Sequence, residues 1–187
     1  MAVGLGNPGP EYAGTRHNAG ADAVALLAGR HDATLKRARG TRALVAEVRV
    51  GPRRLALAVP QTYMNDSGLA VAPLARRFGI ADLADLVIVH DELDLPLGAV
   101  RVKAGGGLAG HNGLRSIKAH LHSDGFTRVR VGIGKPPGGS QRGVEHVLKS
   151  PSRRDRAELD VSIAVAADAV EVILAEGVVA AQNRFNG

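Results

Sequence analysis

The chain has 187 residues, with 24 Lys and Arg against 18 Asp and Glu and a formal net charge of +6. That length suits a single domain burying roughly 70% of the surface its unfolded chain would expose. The absence of cysteine excludes a disulfide framework, a thiol nucleophile and a Cys-ligated zinc site. No apolar run approaches a membrane span and the first residues lack a signal pattern, so a soluble, cytoplasmic protein with no membrane partner is expected. The basic balance favours polyanionic partners such as nucleic acid, although many ordinary enzymes are basic too. Aromatic residues make up only 3%, so the core must be built of Val, Leu, Ile and Ala, which suits helices packed on a sheet.

In chain order, residues 1–5 read as a short strand. GLGNPG at 4–9 formally satisfies G-x-G-x-x-G, but a dinucleotide loop opens a helix at its third glycine, and here Pro10 and a polar stretch intervene. The turn instead presents Asn7, either as a plain turn residue or as a functional amide. Helical periodicity starts near His17 or Asn18 and stops at Gly29. A histidine at a helix start is disfavoured as a cation, which favours its neutral, base-competent form; a capping or surface histidine is the plain alternative.

Residues 42–50 and 53–59 alternate around Gly51 and Pro52 as a hairpin whose charged faces carry several arginines. Asn65 to Ser67 supply N-caps for a helix that is bent or restarted at Pro73. Tyr63 and Met64 place scarce large side chains beside that turn, which suits a mixed polar and apolar substrate. Residues 86–89 form a buried strand that delivers Asp91 and Glu92 to its carboxyl end, where open α/β sheets hold ligands. A carboxylate there requires a partner from elsewhere in the chain.

A loop containing Pro96 leads to a strand at 99–103 and then to GGGLAGHNG, before a helix at 114–121. The glycines permit close backbone approach, and the helix start offers free N–H groups to an anion or carbonyl, with His111 and Asn112 at its entrance. Residues 126–134 alternate, with Arg128 and Arg130 on one face, and KPPGGSQRG at 135–143 is a surface loop. Ser150 as N-cap with Pro151 at the first helical position opens a long helix to about Gly177, followed by a short terminal one.

No G-x-S-x-G occurs and no serine has an evident base beside it. His90, Asp91 and Glu92 are adjacent, and His120 and His122 form an H-x-H pair, but side chains diverge along a strand and neither group has a third ligand at a diagnostic spacing. A histidine, a carboxylate and several turn asparagines remain. They fit water activated by a His base that Asp orients, with amides holding the carbonyl and its oxyanion.

GLGNPG at 4–9, Tyr12 with TRHNAG at 15–20, QTYMNDSG at 61–68, HDELDLPLG at 90–98, GGGLAGHNGLRSI at 105–117 and RVGIGKP at 130–136 together resemble bacterial peptidyl-tRNA hydrolases over nearly the whole chain. The resemblance implies a single monomeric α/β domain over residues 1–187, with a twisted mixed central sheet flanked by helices on both faces and no metal or cofactor. It implies hydrolysis of the ester joining a peptide to the 3′ end of tRNA. Carried over, His17 is the base and Asp91 orients it, while Asn7, Asn65 and Asn112 position substrate and water. Tyr12, Met64 and His111 match residues lining the peptide and 3′-end cleft, and Lys103 and Arg130 match phosphate-binding positions, with Arg128 competing for the role of Arg130. The chain departs from the pattern in a shorter first strand, in Leu108 and Ala109 within the glycine loop, and in Asp66. A non-catalytic RNA-binding protein on this fold, or a hydrolase of small esters, are the competing classes.

Overall fold

A computed structural model describes residues 1–136 and 143–187. Among the described residues there are seven strands: β1 (Ala2–Gly4), β2 (Lys36–Ala38), β3 (Ala43–Val50), β4 (Arg53–Pro60), β5 (Val87–Glu92), β6 (Val100–Ala104) and β7 (Thr127–Gly132). The α-helices among the described residues are α1 (Ala19–Arg30), α2 (Gly68–Arg77), α3 (Asn112–Leu121), α4 (Gly143–Leu148), α5 (Arg153–Glu176) and α6 (Val178–Phe185). The strands form one mixed sheet in the order β2-β3-β4-β1-β5-β7-β6. Strands β4, β1, β5 and β7 run parallel at its centre, and β3 and β6 pair antiparallel outside them.

The two faces separate by strand alternation. Val87 and Val89 of β5 join Val24 and Leu27 of α1 and Leu159 and Ile163 of α5 in one core. Leu86 and Ile88 join Val71 and Leu74 of α2 and Leu114 and Ile117 of α3 in the other. Every residue of β5 is buried, which is why it reads as a continuous apolar run up to its charged end. Because α1 and α2 cover opposite faces, the carboxyl ends of β1 and β5 open onto a crevice between them, the position at which α/β sheets hold ligands.

Close backbone approach fixes α1 against this end of the sheet. A Cβ on Gly20 would lie 2.1 Å from the carbonyl oxygen of Val89, and one on Gly4 would lie 2.2 Å from that of Gly20. The contact brings the Ala21 N–H to the Leu5 carbonyl at 2.9 Å, satisfying one of the donors a helix start leaves free. It also sets residues 16–18, the 3₁₀ turn that carries His17, over the end of β5.

Several boundaries differ from those expected. His17 precedes the helix rather than opening it; as expected, no helix opens on Gly9, since Pro10–Tyr12 is a single 3₁₀ turn. Asn65 sits in the 3₁₀ turn Met64–Asp66 and caps nothing, while α2 runs unbroken through Pro73. The N-cap of α5 is Ser152, whose hydroxyl accepts from the Asp155 N–H at 3.1 Å, so Ser150 and Pro151 lie outside the helix. Strand β2 escapes pattern reading because its three residues are largely exposed and mostly basic. Residues 137–142 of the expected surface loop lie outside the described residues. None of the described helices is long and apolar enough to cross a membrane.

Gly20→Ala forces α1 away from β5. We expect a loss of about 2–3 kcal/mol in urea unfolding, together with reduced activity from a displaced His17; an unchanged midpoint would contradict this packing.

Candidate active site

Strand β5 buries Asp91 at its carboxyl end, with 2% of the side chain exposed. His17 Nδ1 lies 2.9 Å from Oδ1 and 3.0 Å from Oδ2, and His111 Nε2 lies 3.0 Å from Oδ1. An ionised carboxylate only accepts, so both nitrogens carry hydrogens. His111 is then an Nε2–H tautomer, in agreement with its Nδ1 accepting from the Leu114 N–H at 3.4 Å as the N-cap of α3. His17 is an Nδ1–H tautomer, and its Nε2 lone pair meets no donor among the described residues.

Burial by itself raises the pKa of Asp91, but the two imidazoles outweigh it and hold the carboxyl well below the usual carboxylate range. Behind it, His90 is fully buried and donates from Nδ1 to the Asp91 carbonyl at 2.7 Å. Its Nε2 has no partner among the described residues, and its ring lies edge-on to His111 at 4.9 Å. Burial, then the neighbouring His111, push its pKa well below the ordinary histidine value, so this ring is neutral.

Asn7 follows β1 and is clamped on its backbone. Asn18 accepts from its N–H at 2.8 Å and donates to its carbonyl at 3.0 Å. The Asn7 side-chain oxygen takes the Met64 N–H at 2.7 Å, which leaves its amide N–H groups without a protein acceptor among the described residues. Asn112 is the first residue of α3, exposed, with its side-chain oxygen bonded by Arg115. Asn65 is exposed, and its side chain makes no hydrogen bond among the described residues.

A cleft of about 270 Å³ has His17, Asp91, His111 and Asn112 at its polar end and Leu93, Val144 and Val147 along its apolar side. Of the residues expected to form the site, the fold thus brings these four into one cavity. Tyr12 stands apart, packed edge-on against the exposed Tyr63 at 6.2 Å. Met64 differs from the expected cleft wall: its side chain is buried, in the core beneath α3, where a Cβ on Gly113 would lie 2.6 Å from its sulfur.

The basic residues divide by environment. Lys103 is partly exposed beside Gly106 and meets no carboxylate among the described residues. Arg130 donates from Nε and Nη2 to Glu92 Oε2 at 3.1 and 3.0 Å. Arg128, which competed with Arg130 for a phosphate contact, is 1% exposed. Its guanidinium donates to the Gly107 carbonyl at 2.7 Å, to that of Gly106 at 3.0 Å and to that of Gly105, tying down the glycine loop.

Asn18 and the apolar wall of α4 were not singled out from the sequence; adjacency to His17 was the available signal for Asn18, and α4 is only six residues long. His90 was weighed only as a metal ligand and Arg128 only as a phosphate contact, whereas the fold buries both side chains. Among the described residues, His17, Asp91 and His111 bring donor atoms close enough to hold a cation. A tetrahedral ion would hold its ligand atoms roughly 3.3 Å apart, whereas these nitrogens lie 2.9–3.0 Å from the carboxylate, the spacing of direct hydrogen bonds.

Two outcomes follow from this geometry. A neutral buried His90 leaves the unfolded chain binding a proton that the fold rejects, so its contribution lowers stability as pH falls through about 6.5. Between pH 7.5 and 5.5 it accounts for about 1.4 kcal/mol, which His90→Asn should remove in paired urea melts. Ala109 holds φ at 50°, a left-handed conformation costly for alanine. Ala109→Gly should raise stability by about 0.5–1 kcal/mol, or roughly 1–3 °C in Tm by calorimetry.

A family model described as peptidyl-tRNA hydrolase matches residues 1–187. The peptidyl-tRNA hydrolase of Cutibacterium acnes is 48% identical over 196 residues, covering 100% of this chain and 97% of the relative. That of Mycolicibacterium vanbaalenii is 50% identical over 183 residues, covering 98% and 94%. The crystal structure of peptidyl-tRNA hydrolase from Acinetobacter baumannii matches with a TM-score of 0.92 at 40% identity, over 100% of this chain and 93% of that one.

Proposed function

The chain belongs to the peptidyl-tRNA hydrolase family, and on that premise we propose that it hydrolyses the ester between a peptide, or an N-blocked amino acid, and the 3′ ribose of tRNA. It would act in the cytoplasm as a monomer and return free tRNA to translation. The observation that carries the mechanism is the His17–Asp91 pair, bonded through Nδ1 with Nε2 left free. His17 Nε2 takes a proton from a water as that water attacks the ester carbonyl. The tetrahedral oxyanion collapses by expelling the ribose 3′ oxygen, which receives the proton. An ester is labile enough that no covalent enzyme intermediate is required, and Asp91 fixes the His17 tautomer and stabilises its imidazolium.

Amide donors from Asn7 and Asn112 suit the peptide carbonyl and the oxyanion, and Asn65 and Tyr12 would meet substrate further out. His111, bonded to the same carboxylate, lines the 3′-end side of the cleft. Met64 contributes through the backbone N–H that holds Asn7. Of the two matched positions, Lys103 is the better placed for a phosphate, and Arg130 reaches one only by sharing its guanidinium with Glu92.

The reaction is tested by release of peptide from N-acetyl-aminoacyl-tRNA by wild type and His17→Ala, with EDTA and across a salt series. We expect activity that survives chelation, weakens with salt and falls by about 10²–10⁴-fold in the variant. Equal cleavage by the variant would overturn the mechanism. Binding without cleavage would favour the RNA-binding module, and salt-insensitive turnover indifferent to the tRNA moiety the small-ester hydrolase.

A further inference from the structure

Residues 33–46 carry Lys36, Arg37, Arg39 and Arg42 without a single acidic or aromatic residue. All four cations are exposed. Arg77, in the last turn of α2, reaches the same corner and donates to the Arg39 carbonyl at 3.4 Å. Some surface arginines elsewhere are matched, Arg30 with Asp168, Arg156 with Asp22 and Asp160, and Arg184 with Glu176, while others, such as Arg53 and Arg154, are exposed without a carboxylate among the described residues. Among the described residues none of these five corner cations meets a carboxylate.

The corner is built rather than frayed. Arg37, Arg39 and Arg42 line a cleft of about 310 Å³ together with Ala38, Ala43 and Gln61. Thr41 closes the turn through its N–H and hydroxyl, at 3.2 and 2.8 Å from the Ala38 carbonyl. The Gln61 N–H holds the Arg42 carbonyl at 2.8 Å. Since Ala43 pairs with Pro60, the corner stands at the carboxyl end of β4, the end of the sheet that carries Asn7 and Asp91. Strand β2 is three strands from β1, about 14 Å across the sheet. Lys103 lies on β6, the opposite edge of the sheet, in register with Arg128.

Resting on the function proposed above, we infer that Arg37, Arg39 and Arg42, bordered by Lys36 and Arg77, form a binding site for the phosphodiester backbone of the RNA substrate, at nucleotides removed from the ester. Unmatched charges of one sign around a cleft raise the local potential for a polyanion, and the guanidinium fork matches two phosphate oxygens at once. Without an aromatic platform, base stacking is left to the guanidinium planes alone, and the phosphate contacts position the RNA without reading its sequence.

The test uses the triple variant R37Q/R39Q/R42Q and its charge-keeping control R37K/R39K/R42K. Binding of uncharged tRNA is followed by fluorescence anisotropy across a salt series, and kcat/KM is measured on N-acetyl-aminoacyl-tRNA and on the N-acetyl-aminoacyl ester of adenosine, which lacks a stem. The glutamine triple should lower the slope of log affinity against log salt by about 2–3 and cut kcat/KM on the tRNA ester at least about tenfold. Turnover of the adenosine ester should be unchanged, and the lysine triple should keep the wild-type slope. A slope unchanged in the glutamine triple, or a parallel loss on both esters, overturns the inference. If wild type cleaves both esters and the slope is unchanged, this inference falls alone. If wild type binds tRNA with a slope the glutamine triple reduces but cleaves neither ester, the proposed reaction falls and the RNA site stands.

Discussion

The candidate site depends on one buried carboxylate that serves two histidines from different elements. Asp91 takes His17 from the turn before α1 and His111 from the cap of α3, elements packed on opposite faces of the sheet. Losing one partner of a buried charge costs on the order of 3–5 kcal/mol, so the pairing locks the mutual position of the two helix starts as well as the chemistry. It also divides the histidines by tautomer: His111 is occupied at both nitrogens, and His17 at one.

Strand alternation explains why the same short segment supports the site from behind. Asp91 faces the core that holds α1, and its neighbours His90 and Glu92 point to the other side. There Glu92 neutralises Arg130, one register step from the Arg128 that holds the glycine loop by its carbonyls. A cation in that position orders a loop whose glycines would otherwise sample many conformations. The loop in turn delivers His111 to Asp91, so the second face organises the first through a handful of polar contacts inside an aliphatic protein.

Much of this was legible in the sequence because it depends on local rules. The aliphatic run before Asp91, the hairpin around Gly51 and Pro52, and the helix ending at Gly177 carry their own periodicity and punctuation, and all three appear in the fold. Asp91 was legible as a carboxylate needing a partner, but local rules did not say which histidine, and only the resemblance named His17, because the pairing depends on Gly20 and Gly4 letting α1 lie against the backbone of β5. That is a contact between distant segments, with no periodic trace. The same limit explains Asn18, Arg128 and Met64. A polar residue that clamps a backbone, an arginine buried on loop carbonyls and a methionine turned into the core each look from composition alone like their exposed counterparts.

The tautomers of His17 and His111 test this arrangement most directly. They can be read from imidazole ¹⁵N spectra of histidine-labelled protein at a pH where the rings are neutral, with assignment by His17→Ala and His111→Ala. The expected result is protonation at Nδ1 for His17 and at Nε2 for His111. A His17 ring protonated at Nε2 would place its only proton on the nitrogen required as base, and would contradict the carboxylate-held histidine on which the proposed hydrolysis rests.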